Sequence, residues 1–137
     1  MKCTLHLGFD KQISDVQREF GKAWPYLRLH FFRTDGAGDR KMLRRITKLK
    51  AAGLQLEGDM ECTNETTVAD LEKQILESFG LNVQVLRKSG NLWLQTTSTD
   101  SWTLGQQNQH GKEISQGEEK ESSESGEDFD LERDNMD

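Results

Sequence analysis

Residues 67–79, TVADLEKQILESF, place Val68, Leu71, Ile75 and Phe79 at successive spacings of 3, 4 and 4, which is one side of an α-helix. Residues 12–24, QISDVQREFGKAW, repeat the pattern with Ile13, Val16, Phe20 and Trp24, and the two sets lie 55 positions apart. Thr67 followed three residues later by Asp70 is a capping-box pattern, in which the hydroxyl accepts from the free amides of the first turn. Gly80 supplies the left-handed residue that stops the helix. Asp15, Glu19, Asp70 and Glu72 fall on the polar sides and are expected to face solvent.

Working outward, each helix is flanked by alternating segments, the signature of strands. Cys3 to Leu7 precedes the first helix and Leu27 to Phe31 follows it; Leu54 to Leu56, continuing toward Met60 and Cys62, precedes the second, and Val83 to Val85 follows it. Ser89-Gly90-Asn91 is a turn cluster that joins Val83–Lys88 to Leu92–Thr96 as a hairpin. Two βαβ units related by duplication predict an α+β fold of the ferredoxin-like sandwich kind. One sheet would carry both helices on one face, with right-handed crossovers and the last strand added at an edge. A β-grasp-like arrangement around the second half is the alternative.

The link between the halves reads as an insertion. After a glycine-containing loop at Thr34 to Gly38, residues Arg40 to Ala52 set Met42, Leu43, Ile46 and Leu49 on one side. Arg40, Lys41, Arg44, Arg45 and Lys48 lie on the other, so a basic helix is expected. Positions 28 to 50 hold eight bases and two acids, a strongly cationic window.

Charge divides the chain. Of its 24 acids and 18 bases, eleven acids and only Lys112, Lys120 and Arg133 fall in residues 110–137; residues 1–109 keep 13 acids and 15 bases. A single domain over 1–109 and an acidic, disordered tail over 110–137 are therefore expected, with order failing after a short helix begun near Asp100 or Ser101 and anchored by Trp102 and Leu104. The tail, with Phe129, Leu131 and Met136 among its acids, is also a candidate partner for the basic helix. No stretch approaches the roughly 20 apolar residues of a membrane span, and MKCTLHLGFD reaches an aspartate before any export segment forms, so a soluble, cytoplasmic protein is expected. Cys3 and Cys62, in no metal-ligand spacing, read as small buried hydrophobes.

With helices on one face only, strand alternation leaves Phe32, Leu86 and Trp93 on the other, among His6, Arg28 and His30. Apolar groups expected to avoid water, set among polar ones on an open sheet, mark a candidate binding face. Catalytic patterns are missing. The histidines have no nucleophile partner, and Gly36-Ala37-Gly38 lacks the residues of a phosphate loop, so no catalytic residue, cofactor or metal site is assigned.

The stretch Phe79 to Thr97, followed by Asp100 to Asn108, resembles a group of small bacterial proteins without assigned activity. The resemblance implies a bacterial, cytoplasmic setting and carries no site residues with it. The function expected from the residues is a non-enzymatic protein-binding or adaptor module that uses the open sheet face, with a protein partner or a second copy of the chain. Single-stranded nucleic-acid binding through the basic helix and the sheet aromatics, modulated by the acidic tail, is the alternative, and an enzyme ranks third.

Overall fold

The computed structural model describes residues 2–34 and 40–116. In chain order the elements are β1 (Lys2–Leu7), α1 (Ile13–Ala23), β2 (Leu27–Thr34), β3 (Arg40–Met42), α2 (Leu49–Ala52), β4 (Gly58–Thr63), α3 (Val68–Phe79), β5 (Asn82–Ser89) and β6 (Leu92–Gln95). A 3₁₀ turn at Thr97–Thr99 follows, and residues 104–116 are helical, here α4. The architecture is α+β with two antiparallel sheets, β1-β4 and β3-β2-β5-β6. The expected single sheet is therefore corrected: β1 and β2 lie in different sheets, so no crossover returns to its own sheet.

The duplication is larger than two βαβ units. The amide of Ile13 donates to the Thr47 carbonyl at 2.9 Å, and that of Val68 to the Trp102 carbonyl at 3.1 Å. Ser14 donates to Arg45 and Ala69 to Asp100, both at 2.9 Å; Leu49 donates to Lys11 and Leu104 to Thr66, both at 2.8 Å. Each bond recurs with both partners advanced by 55, as does the isolated bridge Gln12–Lys48, which returns as Thr67–Thr103. The repeating unit is thus β-α-β-β-α, with α2 the counterpart of the start of α4.

The basic helix over Arg40 to Ala52 is the second correction. Arg40–Met42 is a strand against β2, residues 43–48 are irregular, and only Leu49–Ala52 is helical. The apolar residues that mimic a helix stripe are not one face: Leu49 is buried, whereas Met42 is 57% and Ile46 61% exposed. Tertiary bonds from Ser14 and Ile13 to the carbonyls of Arg45 and Thr47 hold this segment open, outweighing its helical spacing.

Helix α4 runs from residue 104 to residue 116, across the boundary expected at residue 110. Thr103 and Gln106 form a reciprocal cap, the Gln106 amide donating to Thr103 Oγ1 at 3.1 Å and the Thr103 amide to Gln106 Oε1 at 2.9 Å. Leu104, Gln107, Gly111 and Ser115 are buried at spacings of 3, 4 and 4. Three of the four are polar or lack a side chain, so this packed stripe has no apolar signal. Gln107 satisfies its amide on Thr99 and accepts from Arg87, and Ser115 accepts from the Gly90 amide. Residues 117–137 of the expected tail lie outside the described residues.

One core cluster draws on both sheets and the helices: Leu5 and Met60 from the small sheet, Leu29, Phe31 and Val85 from the large one, and Val16, Phe20, Leu71 and Ile75 from α1 and α3. Trp24 is buried and its indole donates to Asn64 Oδ1 at 2.8 Å, pinning the first repeat to the second. The Thr67 cap and the left-handed Gly80 stop form as expected, the Thr67 hydroxyl accepting from the Asp70 amide at 3.1 Å. The hairpin turn also forms, with Ser89 opposite Leu92. Cys3 and Cys62 are buried opposite each other on β1 and β4.

Candidate functional site

The outward face of the large sheet is set by register. Met42, Phe32 and Asn82 form one row across it, His30 and Gln84 a second, and Arg28, Leu86 and Gln95 a third, with Lys88 and Trp93 beyond. Backbone groups inside β2 and β5 that lie beyond the reach of the short strands β3 and β6 are met by side chains. Gln17 on α1 donates to the Leu29 carbonyl at 2.7 Å, Thr96 donates to the Val85 carbonyl at 2.8 Å, and the Val85 amide donates to Glu72 at 2.9 Å. Glu72 is therefore half-buried rather than solvent-facing. Burial, with the Asp100 charge adding to it, raises its pKa against the opposing pull of the Val85 bond.

On this face two guanidinium groups cover two rings. Arg28 lies 4.1 Å from the Trp93 ring centre and Arg40 lies 4.3 Å from that of Phe32. The rings are half-buried, whereas Leu86, expected on the open face, is only 6% exposed between Arg28 and Gln95. The face is thus cationic over aromatic rather than bare and apolar.

The irregular segment after β3 brings two more of the sequence-selected bases to the same place. Arg44 and Arg45 join Arg28, His30 and Gln17 around a cavity of about 260 Å³. A second cavity of similar volume shares Gln17, Arg28 and Arg45 and reaches Arg18 and Trp93. Arg45 Nε donates to Gln17 Oε1 at 2.8 Å, which fixes that guanidinium through a glutamine itself held by Leu29. Among the described residues no carboxylate pairs with Arg28, Arg44 or Arg45. Desolvation first, and the neighbouring Arg45 charge second, hold the Arg28 pKa below its ordinary value. Burial and then Arg28 lower that of His30.

The remaining selected residues lie elsewhere. His6 is on β1, in the other sheet, with Nδ1 at 2.9 Å from Asp59 and its backbone amide donating to Glu19. Lys41 points to the other side of β3 from Arg40, beside Arg33, and Lys48 is exposed before α2. Gln17 was not selected from sequence. Its signal is its place four residues after Ile13, at the edge of the buried helix face, where a partly buried polar residue needs a partner.

Comparison with known proteins finds no matching family model, no similar curated protein and no similar solved structure. The chemistry of the face then has to speak for itself. Among the described residues no cluster of three or more His, Cys, Asp and Glu is placed to hold a metal, and no helix is long and apolar enough to cross a membrane.

Proposed function

We propose that the chain is a non-enzymatic binding module whose large-sheet face holds single-stranded nucleic acid, with bases stacking on the arginine-covered rings and the neighbouring guanidinium groups meeting phosphates. The observation that carries this reading is the pair of arginine-over-ring stacks, Arg28 on Trp93 and Arg40 on Phe32, on one face flanked by Arg44 and Arg45, which no carboxylate pairs among the described residues. Aromatic platforms with adjacent cations suit unpaired bases of any sequence, because every base has a π face and every nucleotide a phosphate. A protein interface built on bare apolar groups has less support, since Leu86 is buried and both rings are lidded by charge. The acidic residues of 117–137, ten against Lys120 and Arg133, would compete for the same cations.

The test is fluorescence anisotropy of a labelled oligonucleotide of about twelve nucleotides at low salt. Saturable binding that weakens with salt and with Trp93→Ala supports the reading. No binding by either the full chain or residues 1–116 overturns it, and concentration-dependent self-association in sedimentation, lost in Trp93→Ala, would favour the protein interface instead.

A further inference from the structure

Two features of the Arg28 cavity separate it from an ordinary basic surface. Its lining comes from three separate elements: Arg28 and His30 from β2, Arg44 and Arg45 from the segment after β3, and the neutral Gln17 anchor from α1. One of the cations is also positioned in advance. Arg45 spends only its Nε on Gln17, and Gln17 spends its amide on Leu29, so the outer nitrogens of Arg45 remain available without a new ordering cost. Like charges gathered around one concavity repel one another, and nothing among the described residues offsets that repulsion with an ion pair. An anion bound there would relieve it.

We infer that the cavity among Gln17, Arg28, His30, Arg44 and Arg45 is a seat for a single phosphate group. A phosphate presents several oxygens in different directions, which suits forked guanidinium donors arriving from different elements. The second cavity continues from Arg28 and Arg45 to Trp93, so a phosphate seated here has a ring within reach of the base attached to it. The two cavities together measure out one nucleotide: phosphate among the arginines, base against Trp93. The identity of the ligand as a phosphodiester rests on the nucleic-acid reading above; the presence of an anion seat rests on the cavity itself.

The experiment titrates inorganic phosphate into the full chain at constant ionic strength, with chloride as the balancing anion, and follows the arginine side-chain NMR signals. Saturable shifts at Arg28, Arg44 and Arg45 are expected, with affinity about tenfold weaker in Arg45→Gln or Arg44→Gln and unchanged in Lys22→Gln. Because both arginine side chains are exposed, these variants should keep the parent melting curve, which is checked alongside. Shifts that never saturate, or that survive both substitutions, overturn the seat. Oligonucleotide binding without any phosphate response at these arginines overturns the seat and leaves the sheet-face reading standing. Saturable phosphate binding without oligonucleotide binding does the reverse.

Discussion

Leu5 and Met60 face each other across the β1–β4 ladder, and Met60 is the residue 55 positions after Leu5. A strand paired with its own repeat at the equivalent residue means that the ladder is built around a local two-fold relation between the halves. In β2 and β5 the relation falls between residues: Leu29 opposes Val85 and His30 opposes Gln84, while Gln84 and Val85 are the counterparts of Leu29 and His30. Both ladders that join β1, β2, β4 and β5 therefore cross from one repeat to the other, and a half-chain has only its short hairpin to pair.

The first expected outcome concerns cooperativity. Since each repeat completes the other's sheets, the chain should unfold in one transition, with far-UV circular dichroism and tryptophan fluorescence giving the same urea midpoint. Leu5→Ala should cost about 2–5 kcal/mol and shift both probes together, because Leu5 is fully buried in the shared core. Separate midpoints for the two probes would show that the halves fold independently.

Much of this was readable in the residues. The 3-4-4 stripes of α1 and α3, the Thr67 cap, the Gly80 stop and the hairpin at Gly90 all follow from local chemistry, and all form. What was not readable falls into two kinds. The segment from Arg40 to Lys48 has helical spacing, yet tertiary bonds to α1 hold it out of a helix; only carrying the 55-residue shift on to Leu49 and Leu104 would have revealed it as a repeat of the stretch before α4. After Leu104 the stripe of α4 is polar or side-chain-free, so hydrophobic periodicity passes over it. Sheet partition, which decides that His6 and Arg28 sit on different sheets, depends on long-range pairing that no local pattern encodes.

The Gly80 stop has a measurable cost. Its φ of +77° lies in the left-handed region, and a Cβ there would also come within 2.7 Å of the Gln55 side chain. Gln55 is exposed and can move aside, so the backbone penalty remains, roughly 1–2 kcal/mol. Gly80→Ala should lower the urea midpoint by the corresponding amount with an unchanged slope, while Gly80→Asn should lose less.

The Arg28–Trp93 stack should appear as coupling. In a double-mutant cycle with Arg28→Ala and Trp93→Ala, an interaction of about 0.5–1 kcal/mol is expected for a partly exposed cation over a ring. The same Trp93→Ala change should weaken oligonucleotide binding by about 1–3 kcal/mol, since the ring is then absent as a stacking platform. Loss of stability without loss of binding would separate the two roles.

His30 sets a pH dependence. Burial first and the Arg28 charge second hold its pKa below the ordinary 6.5; Arg44 and Arg45 face it across the cavity, and Gln84 lies beside it on β5. The unfolded chain then takes up the proton before the folded one, so this contribution is present above 6.5 and is lost as pH falls through the folded value. Between pH 7.5 and pH 5, the parent should lose more stability than His30→Gln, measured by urea midpoints. An equal loss in both would show that the imidazole is not held neutral.

The acidic segment gives the most direct test of how the charges are arranged. Residues 117–137 carry ten acids against two bases, and the described chain ends at residue 116 close to the β5–β6 turn, where Ser115 accepts from Gly90. Trp93 lies in the strand leaving that turn, so the segment starts near one end of the cationic face. Twenty-one residues, extended at about 3.3–3.6 Å each, are long enough to cross a sheet of this size. If the acids compete for Arg28, Arg44 and Arg45, deleting 117–137 should tighten oligonucleotide binding several-fold at low salt. The gain should shrink as salt screens both interactions over about 10 Å at 0.1 M. Adding the segment back as a separate peptide should reverse the gain, whereas Arg44→Gln with Arg45→Gln should abolish the difference between full and shortened chains. Equal binding by the two forms at every salt concentration would show that the acids leave this face alone.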